Sequence, residues 1–182
     1  MTIGDPPAES GPAVLLRPIV EADLATLHRW YQTPELSEHL VDDIPRRDAG
    51  ESIPFMRGWL AHDARNQRFA VVRRADGRLL GRTALLNIED GSAELHLFLG
   101  DPDTRGHGYG RQAVEVLLAV AFDQLRLDEV RLEVLGSNAA ARALYRRIGF
   151  NEQGPRETGV IKHGARIEVV RMAIRAGTWR HR

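Results

Sequence analysis

The chain has 182 residues, of which 43% are apolar, and its 25 Lys plus Arg balance 25 Asp plus Glu. This length accommodates one domain with a sizeable core and leaves little room for a second. A formal net charge of zero argues against a whole-protein electrostatic surface for nucleic acid, although not against a local patch. Because there is no cysteine, disulfides, thiolate zinc sites and a cysteine nucleophile are excluded.

The first twelve residues are rich in Pro, Gly, Ser and acidic side chains. They have neither the basic start nor the apolar run of a signal peptide. We therefore predict a disordered tail over residues 1–12 and a single domain over residues 13–182. Since no segment approaches the roughly 18 continuous apolar residues of a membrane span, we expect a soluble cytoplasmic protein without a membrane partner.

Strands and helices alternate through the predicted domain. Apolar runs, alternation and glycine turns predict strands over residues 13–17, 68–74, 79–88, 92–99, 129–135, 150–157 and 166–174. Apolar spacing of three and four predicts helices over residues 21–31, 35–40, 51–65, 109–127 and 138–148. This order predicts an α/β (α+β) fold with a mixed, mostly antiparallel sheet of six to seven strands between helices.

The most informative segment lies between the strand over residues 92–99 and the long helix that follows. It reads Arg105-Gly106-His107-Gly108-Tyr109-Gly110-Arg111. Glycines permit positive φ and close approach of a ligand, and a helix N-terminus attracts anions, so the segment predicts a phosphate or pyrophosphate site. The dinucleotide fingerprint and the P-loop both require other spacings, and both are excluded.

These residues, written R-x-x-G-x-G, resemble the pyrophosphate loop of the GCN5-related N-acetyltransferases (GNAT). A second block, Asn138-x-x-Ala141-x-x-x-Tyr145-x-x-x-Gly149-Phe150, is similar to the second cofactor segment of that family. The branch that acetylates ribosomal-protein N-termini (RimJ/RimL-like) is the most similar, through segments such as Leu16-Arg17-Pro18 and Gly100-Asp101-Pro102. Polyamine and some aminoglycoside acetyltransferases share much of this pattern, so the branch is a weak guide to substrate.

The resemblance implies that acetyl-CoA is the co-substrate. It implies main-chain contacts to the pyrophosphate from the loop, with help from the charges of its two arginines, and main-chain contacts to the pantetheine arm from the preceding strand. Asn138 is favoured both as a helix N-cap and as a contact to that arm. The cofactor-binding residues implied are Leu97, Phe98, Leu99, Arg105, Gly106, His107, Gly108, Tyr109, Gly110, Arg111, Asn138 and Ala141.

Three side chains are candidates for proton transfer. By resemblance, the phenol of Tyr145 protonates the departing thiolate, although a tyrosine on an amphipathic helix can also simply pack. An alkyl amine with a pKa near 10.4 is mostly protonated at neutral pH, so its proton needs an acceptor. Glu94 is the first candidate base and His96 the second, because both lie on one face of the strand; ordered water and a purely structural role remain alternatives.

Acidic residues near the early helices suggest where a cationic substrate would bind. Glu35, Glu38 and Asp42, together with Trp30, are the candidate substrate-binding residues, although a solvated helix face is the alternative for the acids. The seven histidines are scattered, so no metal site is predicted. A homodimer is expected from base rates alone.

Three functions remain open from the sequence. The first is N-acetylation of a small cationic molecule such as a polyamine or an aminoglycoside-like antibiotic. The second is acetylation of a protein N-terminus that begins with alanine or serine, and the third is a non-catalytic acyl-CoA-binding module. An open groove would favour a peptide terminus as acceptor, and a closed acidic pocket would favour a polycation.

Overall fold

A seven-stranded sheet forms the centre of the domain in the computed structural model, which describes residues 11–41, 48–61, 63–101, 104–162 and 164–179. The strand order is β1-β2-β3-β4-β5-β9-β6, and every neighbouring pair is antiparallel except β4 with β5. The strands are β1 (Val14–Pro18), β2 (Gln67–Arg73), β3 (Leu79–Glu89), β4 (Ser92–Leu99), β5 (Glu129–Leu135), β6 (Asn151–Pro155), β7 (Val160–Lys162), β8 (Ala165–Ile167) and β9 (Val169–Arg175). This architecture confirms the predicted fold class.

Helices cover both faces of the sheet. They are α1 (Glu21–Tyr31), α2 (Pro34–Ser37), α3 (Ala49–Arg57), α4 (Tyr109–Ala119) and α5 (Ala139–Ile148). One core packs the apolar stripe of α4, including Val114, Leu117 and Leu118, against the middle strands. A second core on the opposite face packs α1 and α3 around Tyr31 and Phe98. Strand β4 therefore separates two cores, as its alternating pattern requires.

The parallel pair at the centre of the sheet is short. Strands β4 and β5 are paired only from Ser92 with Glu129 to Glu94 with Arg131. Beyond Glu94, β4 continues to Leu99 with its other edge paired to β3, whereas the edge that faces β5 has no partner strand. The two strands thus diverge and open a gap in the sheet, with β4 main-chain groups along one side of it.

Two predicted helix ends were wrong. The helix expected over residues 51–65 is α3 plus a 3-10 turn over Gly58–Leu60. It stops there because Asp63 makes a local turn, accepting from the amides of Arg65 and Asn66. The helix expected over residues 35–40 is the shorter α2.

The other differences lie in α4 and the C-terminal region. The long helix expected to reach residue 127 is α-helical only to Ala119, and a π-helical turn over Val120–Gln124 completes it. The strand expected over residues 166–174 is divided into β8 and β9, and β8 forms a separate two-stranded ribbon with β7. Most of the predicted tail, residues 1–10, lies outside the described residues.

Candidate active site

A cleft of about 1150 Å³ lies where β4 leaves β5. Most of the site residues expected from the sequence line it: Trp30, Glu35, Glu94, His96, Leu97, Phe98, Leu99, Arg105, Gly106, Gly110, Asn138, Ala141 and Tyr145. The fold therefore brings together segments that are more than 100 residues apart in the chain. We call the side formed by Arg105, Gly106, Gly110, Asn138 and Ala141 the loop wall, and the side formed by Trp30, Trp59, Arg68 and Arg82 the aromatic wall.

The loop wall depends on glycine geometry. Gly106 and Gly108 have φ of 78° and 72°, the left-handed region that disfavours residues with a Cβ. A Cβ built at either position would meet nothing within 4 Å, so the glycines are required by backbone conformation and not by crowding. Gly108 is the N-cap of α4, and none of the described side chains caps that helix end.

The first amides of α4 are consequently available to a ligand. The first hydrogen bond of the helix is the one that the Gln112 N–H donates to the Gly108 carbonyl, at 3.1 Å. The N–H groups of the residues before Gln112, Tyr109 to Arg111, lie in the first turn, where a helix provides no acceptor. Together with the helix dipole, these amides can bind an anion such as a pyrophosphate.

Buried polar contacts hold the loop in place. Asp101 is 4% exposed, and its carboxylate forms an ion pair with the Arg78 Nε at 2.6 Å. The Asp101 carbonyl accepts from the Thr104 hydroxyl at 2.6 Å, and the amides of Gly100 and Asp101 both donate to the Leu80 carbonyl. These contacts join the residues on either side of positions 102 and 103 to β3 and to each other.

Three other predicted cofactor residues have partners within the protein. His107 Nδ1 lies 2.9 Å from the Arg105 carbonyl, and its ring stacks on Tyr109 with centroids 5.4 Å apart. Arg111 forms an ion pair with Glu115 at 2.8 Å, one helical turn away. These side chains are not among the described residues that line the cleft, and their predicted contacts to a cofactor remain predictions.

Asn138 occupies the start of α5, on the far side of the gap. Its Oδ1 accepts from the Ala141 amide at 3.1 Å, which is the hydrogen bond of a helix N-cap. Both residues also line the cleft. The capping role is therefore present, and the predicted contact to a pantetheine arm remains a prediction.

Tyr145 extends from α5 into the cleft. It is 7% exposed and packs edge-on against Phe150, with ring centroids 5.6 Å apart. Burial raises the pKa of the Tyr145 phenol to about 12. None of the described residues hydrogen-bonds its hydroxyl, so the proton can be donated to a ligand.

Glu94 and His96 form a pair on the same face of β4. The Glu94 Oε1 lies 2.9 Å from the His96 Nε2, and the Glu94 Oε2 accepts from the side-chain Nδ2 of Asn87 at 3.3 Å. The His96 hydrogen bond, assisted by Asn87 and by the charge of Arg156, lowers the pKa of the Glu94 carboxyl, although burial acts in the opposite direction. Glu94 is thus an ionised carboxylate at neutral pH, hydrogen-bonded to an imidazole in the cleft.

The aromatic wall is a packed stack around an arginine. The Tyr31 ring lies parallel to Phe98, with centroids 4.3 Å apart, and edge-on to Trp59 at 5.8 Å. The Arg82 guanidinium carbon lies 4.5 Å from the Trp59 ring centroid, and its Nε donates to the Tyr31 hydroxyl. Trp59 is both core and lining, since it is 8% exposed and contacts the cleft.

Only some of the acidic residues that were expected to bind a cation lie in the described lining of the cleft. Glu35 lines the cleft, whereas Glu38 is exposed at the end of α2 and is not among the described lining residues. Asp42 and Asp43 lie outside the described residues. Trp30 does line the cleft, and its ring lies over Gly100, where a Cβ would approach it to 2.2 Å.

Sequence reasoning missed Arg68 and Arg82. Both line the cleft and are half-buried on the face of β2 and β3 that packs against α1 and α3. No motif marks them. The sequence did contain one signal. Each arginine occupies a strand face whose other positions are apolar, Ala70 on β2 and Ala84 and Leu86 on β3, and helices cover that face.

Neither a metal site nor a membrane-spanning helix occurs among the residues that the structure describes. The described residues contain no group of three or more His, Cys, Asp or Glu that could hold a metal ion. Among the same residues, no helix is long and apolar enough to cross a membrane.

Comparison with known proteins identifies the family. Residues 13–151 match the family described as "Acetyltransferase (GNAT) domain". Because this match spans more than half of the chain, the chain belongs to the GNAT acetyltransferases, and the resemblance predicted from its sequence is confirmed. It is therefore an acetyltransferase, with acetyl-CoA as its co-substrate.

Individual relatives differ in what they acetylate. An N-acetyltransferase 9-like protein of Nematostella vectensis is 23% identical over 84% of this chain and 81% of its own length. The mycothiol acetyltransferase of Clavibacter michiganensis subsp. michiganensis is 44% identical over 45% of this chain, but the match covers only 26% of that protein. The putative ribosomal N-acetyltransferase YdaF of Bacillus subtilis is 28% identical over 57% of both chains, in agreement with the predicted branch.

Solved structures support the same fold. The spermidine N-acetyltransferase of Vibrio cholerae, solved in complex with CoA and spermine, superposes with a TM-score of 0.81 over 91% of this chain and 97% of its own. The two sequences are 24% identical, so this likeness concerns the fold.

Proposed function

We propose that the chain transfers the acetyl group of acetyl-CoA directly to a primary amine that binds in the cleft between the two walls. The observation that carries the proposal is the convergence of the uncapped α4 start, the Glu94–His96 pair and the Tyr145 phenol on one cleft. These supply, in turn, an anion site, a proton acceptor and a proton donor.

The loop wall has the features that a pyrophosphate requires. The positive φ of Gly106 and Gly108 turns the backbone toward α4, whose first amides have no acceptor in the helix. The unpartnered edge of β4, from residue 95 to residue 99, offers main-chain groups to an extended ligand in the way an edge strand binds a peptide. Acetyl-CoA supplies an activated acyl thioester at this position.

The proton transfers belong to the chain's own side chains. As the amine nitrogen forms its bond to the acetyl carbon and the carbon–sulfur bond breaks, the amine proton passes to Glu94 or, through it, to His96. Tyr145 donates a proton to the leaving sulfur. The apolar surroundings that raise the pKa of Tyr145 also disfavour a thiolate there, so the leaving sulfur has a raised affinity for the proton that Tyr145 donates. No acyl-enzyme is needed, consistent with a chain that has no cysteine.

Two acceptor classes have support. Glu35 in the cleft lining favours a small cationic amine, as does the fold likeness to an enzyme solved with spermine. The similarity to a putative ribosomal N-acetyltransferase favours a protein N-terminus. The small molecule is our first choice, because Trp30 and Trp59 enclose one side of the cleft.

The proposal is tested by CoA-thiol release from acetyl-CoA with a panel of amines. The panel contains spermidine, several aminoglycosides, small amino acids and peptides with free alanine or serine N-termini. We expect turnover with one class of amine. Binding of acetyl-CoA without turnover on any amine would instead favour a non-catalytic acyl-CoA-binding module, and failure to bind acetyl-CoA would remove the basis of the proposal.

A further inference from the structure

Two guanidinium groups lie side by side in the aromatic wall. Arg82 is placed on β3 by its pairing with Ala70 on one side and Phe98 on the other. Arg68 lies two residues before Ala70 on β2, on the same face. Burial and the neighbouring charge of Arg82 both lower the pKa of Arg68, so the two cations are close enough to affect each other.

Within the described part of the chain, no carboxylate forms an ion pair with Arg68 or Arg82. The acid that acts on Arg68 through space is Asp63, which is exposed and already accepts from Arg65 and Asn66. Half-buried like charges without counterions are costly, and a protein that keeps them in a cleft provides for an anion that enters from outside.

Arg68 lies in the same row of the sheet as His96, the second candidate base. Arg68 pairs with Ala84, and Ala84 pairs with His96, so the three residues lie in line across β2, β3 and β4. The Cα atoms of Arg68 and His96 are about 10 Å apart, since neighbouring strands are about 4.8 Å apart. Ala84 itself is fully buried, so a ligand would reach Arg68, Arg82 and His96 from the cleft that these three residues line.

Guanidinium geometry suits an oxyanion. The stacking of Arg82 on Trp59 and its bond to the Tyr31 hydroxyl fix the plane of the group, while its terminal nitrogens have no carboxylate partner among the described residues. A planar, pre-oriented guanidinium binds carboxylate or phosphate through two parallel hydrogen bonds. Arg68 adds a second charge beside it.

We propose that Arg68 and Arg82 form a binding site for an anionic group, a carboxylate or a phosphate, carried by the same molecule as the acceptor amine. This inference rests on the proposed function, and it changes the expected substrate class from a polycation to a zwitterion. The amine would lie near Glu94 and His96, and the anion against Arg68 and Arg82 in the same cleft, about one to two strand spacings away. A polyamine would place a second positive charge beside two arginines.

Matched acceptors test the inference. We would measure kcat and KM for 6-aminohexanoate against 6-aminohexanamide, 3-aminopropyl phosphate against 3-aminopropanol, and the C-terminally amidated dipeptides Ala-Glu-NH2 against Ala-Gln-NH2, with spermidine as the polycation. Each anionic acceptor is expected to exceed its neutral partner about tenfold or more in kcat/KM. Which pair shows the largest ratio distinguishes a free carboxylate, a phosphate and an acidic peptide as the source.

Arg68→Gln separates charge recognition from a structural role. Arg68 donates no hydrogen bond to a described side chain, so we expect the variant to fold. We expect the KM for the carboxylate to rise about ten- to a hundredfold, with the KM for the amide and for acetyl-CoA unchanged. Arg82→Gln should act in the same direction, and Arg171→Gln, an exposed arginine on β9 outside the cleft, should change nothing.

The outcomes keep the two proposals apart. Equal turnover of carboxylate and amide, or a preference for spermidine, would overturn the anion site while leaving the acetyltransferase function in place. If no amine turns over, calorimetric binding of 6-aminohexanoate decides: binding that Arg68→Gln abolishes supports the anion site without the proposed acceptor chemistry. Absence of both turnover and binding rejects both.

Discussion

The two walls of the cleft are built in different ways. The loop wall offers mainly backbone, positioned by two glycines with positive φ and by an uncapped helix start. The aromatic wall offers side chains from α1, the turn after α3, β2 and β3, stacked on one another. A backbone site depends on few residue identities, whereas a side-chain site changes with every substitution. The fold can therefore keep one co-substrate while its acceptor varies.

The largest effect on activity is expected from substitution of Tyr145, the proposed proton donor. Tyr145→Phe removes one oxygen and keeps the packing against Phe150, so kcat should fall about a hundred- to ten-thousandfold, with the KM for acetyl-CoA unchanged. Steady-state kinetics with the best amine of the panel measure this. An unchanged kcat would mean that Tyr145 only packs, and a lost affinity for acetyl-CoA would place it with the loop wall.

Glu94→Gln tests the proton acceptor. At pH 7 we expect kcat/KM to fall about ten- to a thousandfold. Because the pKa of Glu94 is lowered by its bond to His96, the wild-type enzyme should keep its base ionised down to below the usual range of a glutamate. The variant should regain activity as pH rises toward 10, where the amine loses its proton to water.

Glu129→Gln is the control for that experiment, since this β5 carboxylate lies outside the lining of the main cleft and pairs with Arg131. A deficit of Glu94→Gln that is the same at pH 7 and pH 10 would argue against a base. A larger loss in His96→Gln would assign the role to the histidine instead.

Buried Tyr145 also makes stability depend on pH. Its pKa of about 12 in the folded protein lies above the value of about 10 in an unfolded chain. The protein is therefore unaffected by this group below pH 10 and loses stability as pH rises from 10 to 12, by about 3 kcal/mol at the upper limit.

Urea unfolding at pH 9 and at pH 11.5 measures that loss. Tyr145→Phe should show a smaller difference between the two values than the wild type, while ionisation of buried Tyr31 contributes equally to both proteins. Parallel curves for the two proteins would contradict the burial of the phenol.

The glycine conformation of the loop wall can be tested separately. Gly108→Ala forces a Cβ into a left-handed backbone, which costs about 1–2 kcal/mol and should weaken acetyl-CoA binding about tenfold. Amine KM should be unaffected. Gly177→Ala is a matched control, because that glycine is also in open space but has no positive φ. Equal effects of the two variants in isothermal titration would remove the argument from backbone geometry.

The smallest expected effect separates two roles of one residue. Asn138→Ala and Asp48→Ala each remove a helix N-cap, at α5 and at α3, and each should cost about 1 kcal/mol of stability. If Asn138 also contacts the pantetheine arm, only its variant should raise the KM for acetyl-CoA. Identical KM values in both variants would leave Asn138 with the capping role alone.

The parts of the molecule that sequence predicted well are those set by local chemistry. The bounds of α1, β4 and β5 agree with their predicted ranges, because their periodicity is strong and turns with glycine or acidic residues flank them. The glycine loop could also be predicted, since a need for positive φ is a property of single residues.

The features that were not predicted from the sequence depend on contacts with residues elsewhere in the chain. The three-residue strands β7 and β8 are too short to show a period, and the π-helical turn after α4 has no residue signature. Arg68 and Arg82 come together only through the register of β2 on β3, which the sequence alone does not specify.

Because β4 and β5 are paired over only a short stretch, the stability of the protein should depend on the binding of its co-substrate between them. Three residue pairs join the half-sheet β1–β4 to the half-sheet of β5, β9 and β6. A ligand that binds along this seam only in the folded state stabilises that state by mass action, by about 2.7 kcal/mol at a concentration one hundred times its Kd. The melting temperature and the resistance to proteolysis should therefore rise with the concentration of acetyl-CoA. The enzyme would be less stable in a starved cell, where that concentration is low.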